Sequence, residues 1–188
     1  MLKVFRQDNF SNSHEREGAR RVVKELNASQ ALSDDVYILL NVQLPTVVKE
    51  RKHKATGEII KKTIHNSSPD MIVIKKDSCC VVEMKSHTGI IDFPLQRKNT
   101  YHGEWIANLS SKKSQIINEG KPNPYSQVNT NAEAFEVYLK SIESKFLSDK
   151  AAGSLWFLIN RFILFTDPNV DFKHSSKKRK EEGNWFHR

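Results

Sequence analysis

Asp70 precedes one short apolar run, Met71 to Ile74, and Glu83 and Lys85 close the next, Cys79 to Met84. Residues two apart on a strand point the same way, so Glu83 and Lys85 share a face, about 6 to 7 Å apart along the backbone, while Val82 and Met84 take the other. If Lys75-Lys76-Asp77-Ser78 turns the two runs into an antiparallel hairpin, the Asp70 carboxylate comes up beside that of Glu83. Two anions crowded at the edge of a dry sheet repel one another and lose hydration unless a cation neutralises them. Mg2+ does this well, since it takes oxygen ligands, keeps several waters and is usually held by one or two carboxylates plus a phosphate. A lysine beside them would hold the attacking water or the phosphate on which negative charge grows. Asp, Glu and Lys so spaced could hydrolyse a phosphodiester. The plainer reading of E-x-K alone is a solvated ion pair at a strand end, with Asp70 an ordinary turn residue. Pro69 before Asp70, the two-sided apolar strands and the spacing favour the site.

Elements must exist to carry these groups. Asn12 or Ser13 can cap a helix over about 14–28 whose apolar positions, Ala19, Val22, Val23 and Leu26, fall on one face. VYILLNVQLP reads as a strand over about 36–44 that Pro45 closes. Residues 49–62 are charged, contain a Thr-Gly turn signal and read as an exposed hairpin or loop. In the two runs flanking Lys75 to Ser78, apolar residues occur at both parities, which places these strands in the middle of a sheet. Residues 86–120 are polar and irregular and read as loops with one or two short strands. Asn123-Pro124 then opens a helix with Asn as cap and Pro at the first position, and Val128, Ala132, Phe135, Leu139, Ile142 and Phe146 follow at helical gaps. LWFLINRFILFT, 155–166, is a buried strand or strand pair that Asp167-Pro168-Asn169 ends. The order helix, strands, helix, strand implies an α/β fold, a mixed sheet with helices packed on it.

The 188 residues, 38% hydrophobic, suit one domain with a core. The net charge of +8 makes an acidic polymer such as nucleic acid a plausible partner. That excess is concentrated in two stretches, 49–62 and 173–188, each with six Lys/Arg against two Glu. Two adjacent cysteines, Cys79 and Cys80, would point to opposite faces of a strand, which excludes a disulfide framework. No stretch approaches the roughly 18 apolar residues of a membrane span, and the N-terminus lacks a signal-peptide core, so a cytoplasmic location and no membrane partner are expected.

With Pro69-Asp70 followed by Glu83-Met84-Lys85, the sequence resembles the PD-(D/E)xK nuclease superfamily, and more specifically the nuclease-related (NERD) domain. The family pattern is an N-terminal glutamate-bearing helix, an acid opening a strand, an E-x-K strand followed by glycine, a tryptophan, and an N-P-x-x-Q helix start. Here these are Glu15 or Glu17, Asp70, VVEMKSHTG, Trp105 and NPYSQ with Gln127. The resemblance spans about residues 14–170 and implies a restriction-endonuclease-like mixed central sheet flanked by helices; the domain is taken as residues 1–172, and the charge of 173–188 makes it a basic, flexible tail. It implies Asp70 and Glu83 as metal ligands, Lys85 as the catalytic lysine, Gln127 as a polar residue beside the scissile phosphate, and Mg2+ or Mn2+ as cofactor. Domains of this kind look like parts of larger DNA-processing systems, so a further protein partner is a corollary. Geometry chooses between the glutamates: Glu15 lies within about 40 degrees of Ala19 and Val22, whereas Glu17 is about 140 degrees from Val22 and points outward. Glu15 is therefore the expected helix-borne acid and supporting metal ligand, although His14 stands where the family usually has glycine.

Other residues carry less. His87 shares the face of Lys85 and could touch a phosphate, Trp105 supports a loop or fills core, Lys177-Lys178-Arg179-Lys180 is a solvated end or a backbone grip, and the cysteines are small core residues. The expected function is a cytoplasmic, divalent-metal-dependent nuclease acting on DNA. The rivals are a non-catalytic nucleic-acid-binding module on the same fold and a partner-docking domain.

Overall fold

The structure, a computed structural model, describes residues 1–10, 13–29, 35–76, 78–92, 103–109, 113–145, 159–173 and 186–187. The two runs around the Lys75 turn pair antiparallel, as their composition implies. Strand β5 (Met71–Ile74) and strand β6 (Cys79–Lys85) match Met71 to Val82 and Ile74 to Cys79, and Lys75 N donates to Ser78 O at 2.8 Å. Their two-sided apolarity puts them in the middle of a six-stranded mixed sheet. From β5 outward come β2 (Val36–Leu40) and the edge strand β1 (Leu2–Arg6). From β6 outward come β10 (Ile159–Phe165) and the two-residue β12 (Phe186–His187). Strand β2 ends at Leu40, short of the expected 44, because Asn41 takes a left-handed φ of 49°. Of the basic tail, only Lys173 and β12 are described, and the Lys177 to Lys180 run lies outside the described residues. So do Phe146 and the first part of the 155–166 run.

Each face of this sheet is covered by one helix. Helix α1 (Ser13–Ala28) lays Ala19, Val22, Val23 and Leu26 over Ile38, Met71, Val82 and Met84. Helix α2 (Pro124–Ile142) lays Val128, Ala132 and Phe135 over Ile72, Val81, Ile163 and Phe165 on the opposite face. The cap is as expected, with Asn123 accepting from Ser126 N at 2.8 Å and Pro124 opening the helix. Burying each such aliphatic or aromatic side chain contributes about 1.5–3 kcal/mol, so the facing stripes fix the helices on the sheet. Because α2 crosses between β6 and β10, those strands run parallel.

Among its described residues, the polar region 86–120 holds three short strands, one more than the upper expectation: β7 (Gly89–Asp92), β8 (Ile106–Asn108) and β9 (Ser114–Ile116). With β11 (Val170–Phe172) they form a second sheet. Three or four residues are too few to display a period. Trp105 is fully buried there beside Ala107 and Ile117, as core. The charged segment folds as the hairpin β3 (Val47–Lys52) and β4 (Ile59–Ile64), which among the described residues pairs only with itself. No helix among the described residues is long and apolar enough to cross a membrane.

Candidate active site

One step beyond the Met71–Val82 pair, the hairpin register sets Asp70 opposite Glu83. Asp70 is held at this place twice: Asn41 N donates to its carbonyl at 2.9 Å, and Met84 N donates to its Oδ2 at 2.6 Å. Its charge also acts on the Glu83 carboxyl.

Glu83 lies on the α2 face of β6 and is 1% exposed. Lys85 Nζ donates to its Oε1 at 2.6 Å, and Asn131 Nδ2 to its Oε2 at 3.3 Å. Lys85 Nζ also donates to Gln127 Oε1 at 3.2 Å, on which Asn118 Nδ2 converges at 2.8 Å. Asn131 in turn accepts from Ser67 Oγ at 2.8 Å. The Lys85 carbonyl accepts from Thr166 N at 2.8 Å, so β10 fixes the backbone from which the ammonium extends. Glu83, Lys85 and Gln127 thus belong to one connected hydrogen-bonded set, which Asp70 faces across the hairpin register. Ser67, Asn118 and Asn131 belong to it without having been singled out in the sequence. For Asn131 a signal existed: it stands four residues after Gln127 and beside Val128 and Ala132, a polar residue on the apolar face of α2.

Glu15 joins from the other helix. Its charge acts on both Asp70 and Glu83, and its half-buried side chain lines a pocket of about 170 Å³ with His14, Lys85, His87, Asn118 and Thr166. Glu17 turns away as expected, exposed and beside Arg21 at 3.7 Å. Gly18, one turn after Glu15, makes the approach possible: a Cβ there would meet Thr166 Cγ2 at 2.3 Å and Met84 Sδ at 3.2 Å. His87 reaches the same pocket, with a buried Nδ1 that has no hydrogen-bond partner among the described residues; burial first, then the Lys85 charge, holds its imidazole below the usual range.

Burial pushes the Asp70 carboxyl up from its ordinary range, against the Met84 N–H and Lys85 and with help from Glu15. Burial likewise pushes Glu83 up, reinforced by Asp70 and opposed by Lys85. With all three acids ionised, one ammonium leaves the cluster two charges negative, the charge one divalent ion would balance. The donors are carboxylates without sulfur, the set a hard cation prefers. Among the described residues no three His, Cys, Asp or Glu side chains stand close enough to hold one ion. Asp70 and Glu83 face one another across the hairpin, and Glu15 lies in the adjoining pocket on its own helix. Two carboxylates with water and a phosphate completing the shell is the usual arrangement for Mg2+.

The family model of the nuclease-related domain matches residues 14–166, from the start of α1 to the end of β10. No curated protein and no solved structure matches significantly.

Proposed function

Since the chain belongs to the nuclease-related domain family, we propose that it is a divalent-metal-dependent nuclease of the PD-(D/E)xK type that hydrolyses phosphodiester bonds of DNA. The observation that carries this reading is the meeting of the Asp70 and Glu83 carboxyls across the β5–β6 register, with Lys85 bonded to both Glu83 and Gln127. A bound Mg2+ or Mn2+ would supply Lewis-acid polarisation of the phosphate and a water of lowered pKa.

The chain's own residues do the rest. Asp70 and Glu83 would hold the cation, and Glu15 would accept a hydrogen bond from water in the adjoining pocket. Lys85 orients the attacking water and neutralises charge growing on the phosphate oxygens. With its Oε1 engaged by Lys85 and Asn118, Gln127 turns its side-chain N–H donors to the phosphate from the first turn of α2, where the helix dipole favours an anion. Asn131 and Ser67 keep the Glu83 carboxylate in one orientation.

Incubating the protein with plasmid and linear DNA in Mg2+, Mn2+ or chelator tests the reading. Metal-dependent cleavage that Lys85→Ala abolishes is expected. Cleavage by that variant at the wild-type rate, or none by the wild type with either metal, would overturn it.

A further inference from the structure

The β3–β4 hairpin stands apart from the hydrophobic core. Its root is secured, since Val47 and Ile64 are buried and Glu133 of α2 accepts from both Lys49 and Lys62. Beyond that root every residue from 50 to 63 is exposed, including Ile59 at 61% and Ile60 at 51%. A two-stranded ribbon with neither face covered is marginal in water by itself. Its charges are also unevenly balanced. Lys49 and Lys62 share the single carboxylate of Glu133, and Lys61 pairs with Glu50 at 2.8 Å. Arg51, Lys52 and Lys54, toward the tip, have no acidic partner among the described residues.

We infer that this ribbon is an arm that lies in a groove of duplex DNA and grips the phosphates flanking the cleaved bond; the inference rests on the nuclease reading for the position of that bond. Exposed cations that form no ion pair among the described residues match a polyanion, and the exposed Ile59 and Ile60 opposite Lys52 and Arg51 match the apolar sugar and base edges of a groove. Dimensions agree. A ribbon of six-residue strands extends about 20 Å, and the major groove, about 12 Å wide, admits two strands side by side. The arm is also placed relative to the site, because its anchor Glu133 and the substrate-facing Gln127 are on one helix, about 9 Å apart along the axis.

Binding measured with chelator present separates the arm from catalysis. Fluorescence anisotropy with a labelled duplex several helical turns long, at a series of salt concentrations, gives the slope of log K against log salt. In Arg51→Ala/Lys52→Ala/Lys54→Ala that slope should fall by roughly two to three, and affinity at low salt by about tenfold or more. The charge-preserving Arg51→Lys/Lys52→Arg/Lys54→Arg should keep both, and the alanine variant should melt with the wild type because all three side chains are exposed. An unchanged slope in the alanine variant overturns the arm, and an equal loss on a single strand of the same length overturns the groove. Should the wild type bind through the arm yet cleave nothing in Mg2+ or Mn2+, the arm stands and the nuclease reading falls. Cleavage by a wild type whose slope the alanine variant shares removes the arm and keeps the nuclease.

Discussion

Asn131 reaches from α2 to the buried Glu83, donating from Nδ2 to Oε2 at 3.3 Å while its own Oδ1 accepts from Ser67 at 2.8 Å. One amide therefore satisfies two buried groups and sets the rotation of the carboxylate that Lys85 holds from the other side. Asn131→Leu leaves the Ser67 hydroxyl and one Glu83 oxygen without partners, at a cost of about 1–3 kcal/mol. Calorimetry should show the lower melting temperature, and cleavage should fall by about ten- to a hundredfold, as it does when the support of a ligand is removed. Wild-type melting and turnover in this variant would strip Asn131 of the role.

Glu83 itself lies two residues inside β6 and is fully buried, so truncation to Ala would open a hole as well as remove the charge; Lys85, at the strand end, is the position where Ala leaves the fold intact. Glu83→Gln preserves the shape and isolates the charge. Burial raises Asp70 to about 6 and Glu83 to about 8, above the ordinary carboxylate range near 4. A carboxyl raised in the folded state holds its proton more tightly there than in the unfolded chain, so the wild type loses stability as pH rises from about 4 to about 8. The glutamine does not titrate. With chelator present, Glu83→Gln should therefore gain on the wild type by about 1–3 kcal/mol between pH 5 and pH 8, read from melts across that range, while losing cleavage altogether. A gap that shrinks with rising pH would contradict the assignment.

Glu15 and Glu17 offer an internal comparison on one helix. Only Glu15 lines the pocket beside Lys85, whereas Glu17 is paired at the surface with Arg21. Glu15→Gln should lower cleavage by at least about tenfold and raise the Mg2+ concentration needed for half-maximal rate. Glu17→Gln should leave both unchanged and shift stability by less than about 0.5 kcal/mol. Equal effects from the two substitutions would mean that α1 contributes no acid to the site.

Gly18 is required by proximity. Alanine normally stabilises a helix relative to glycine by about 0.5–1 kcal/mol, yet here its methyl would collide with the stiff Thr166 side chain. Gly18→Ala should instead destabilise by about 1–3 kcal/mol and lift Glu15 away from the pocket, so that cleavage falls with it. Thr166→Ser removes the colliding methyl and should restore part of both losses. A more stable Gly18→Ala protein would show that the helix has room to spare.

Local patterns in the chain already told which way each group faces and which turns bring near neighbours together. Period two set Glu83 and Lys85 on one face, the Lys75 to Ser78 turn brought Asp70 opposite Glu83, and a hundred degrees per residue aimed Glu15 inward and Glu17 out. Asn123-Pro124 announced α2 and with it the place of Gln127. Only the tertiary structure decided what each group faces. Asn131 meets Glu83 across 48 positions and Ser67 across 64, and Gly18 meets Thr166 because two elements far apart in the chain pack together. The strand order, with β10 beside β6, and the short strands of the second sheet were hidden for the same reason. Local periodicity records which side of an element is dry, whereas a buried polar bond depends on what a distant segment supplies to that side.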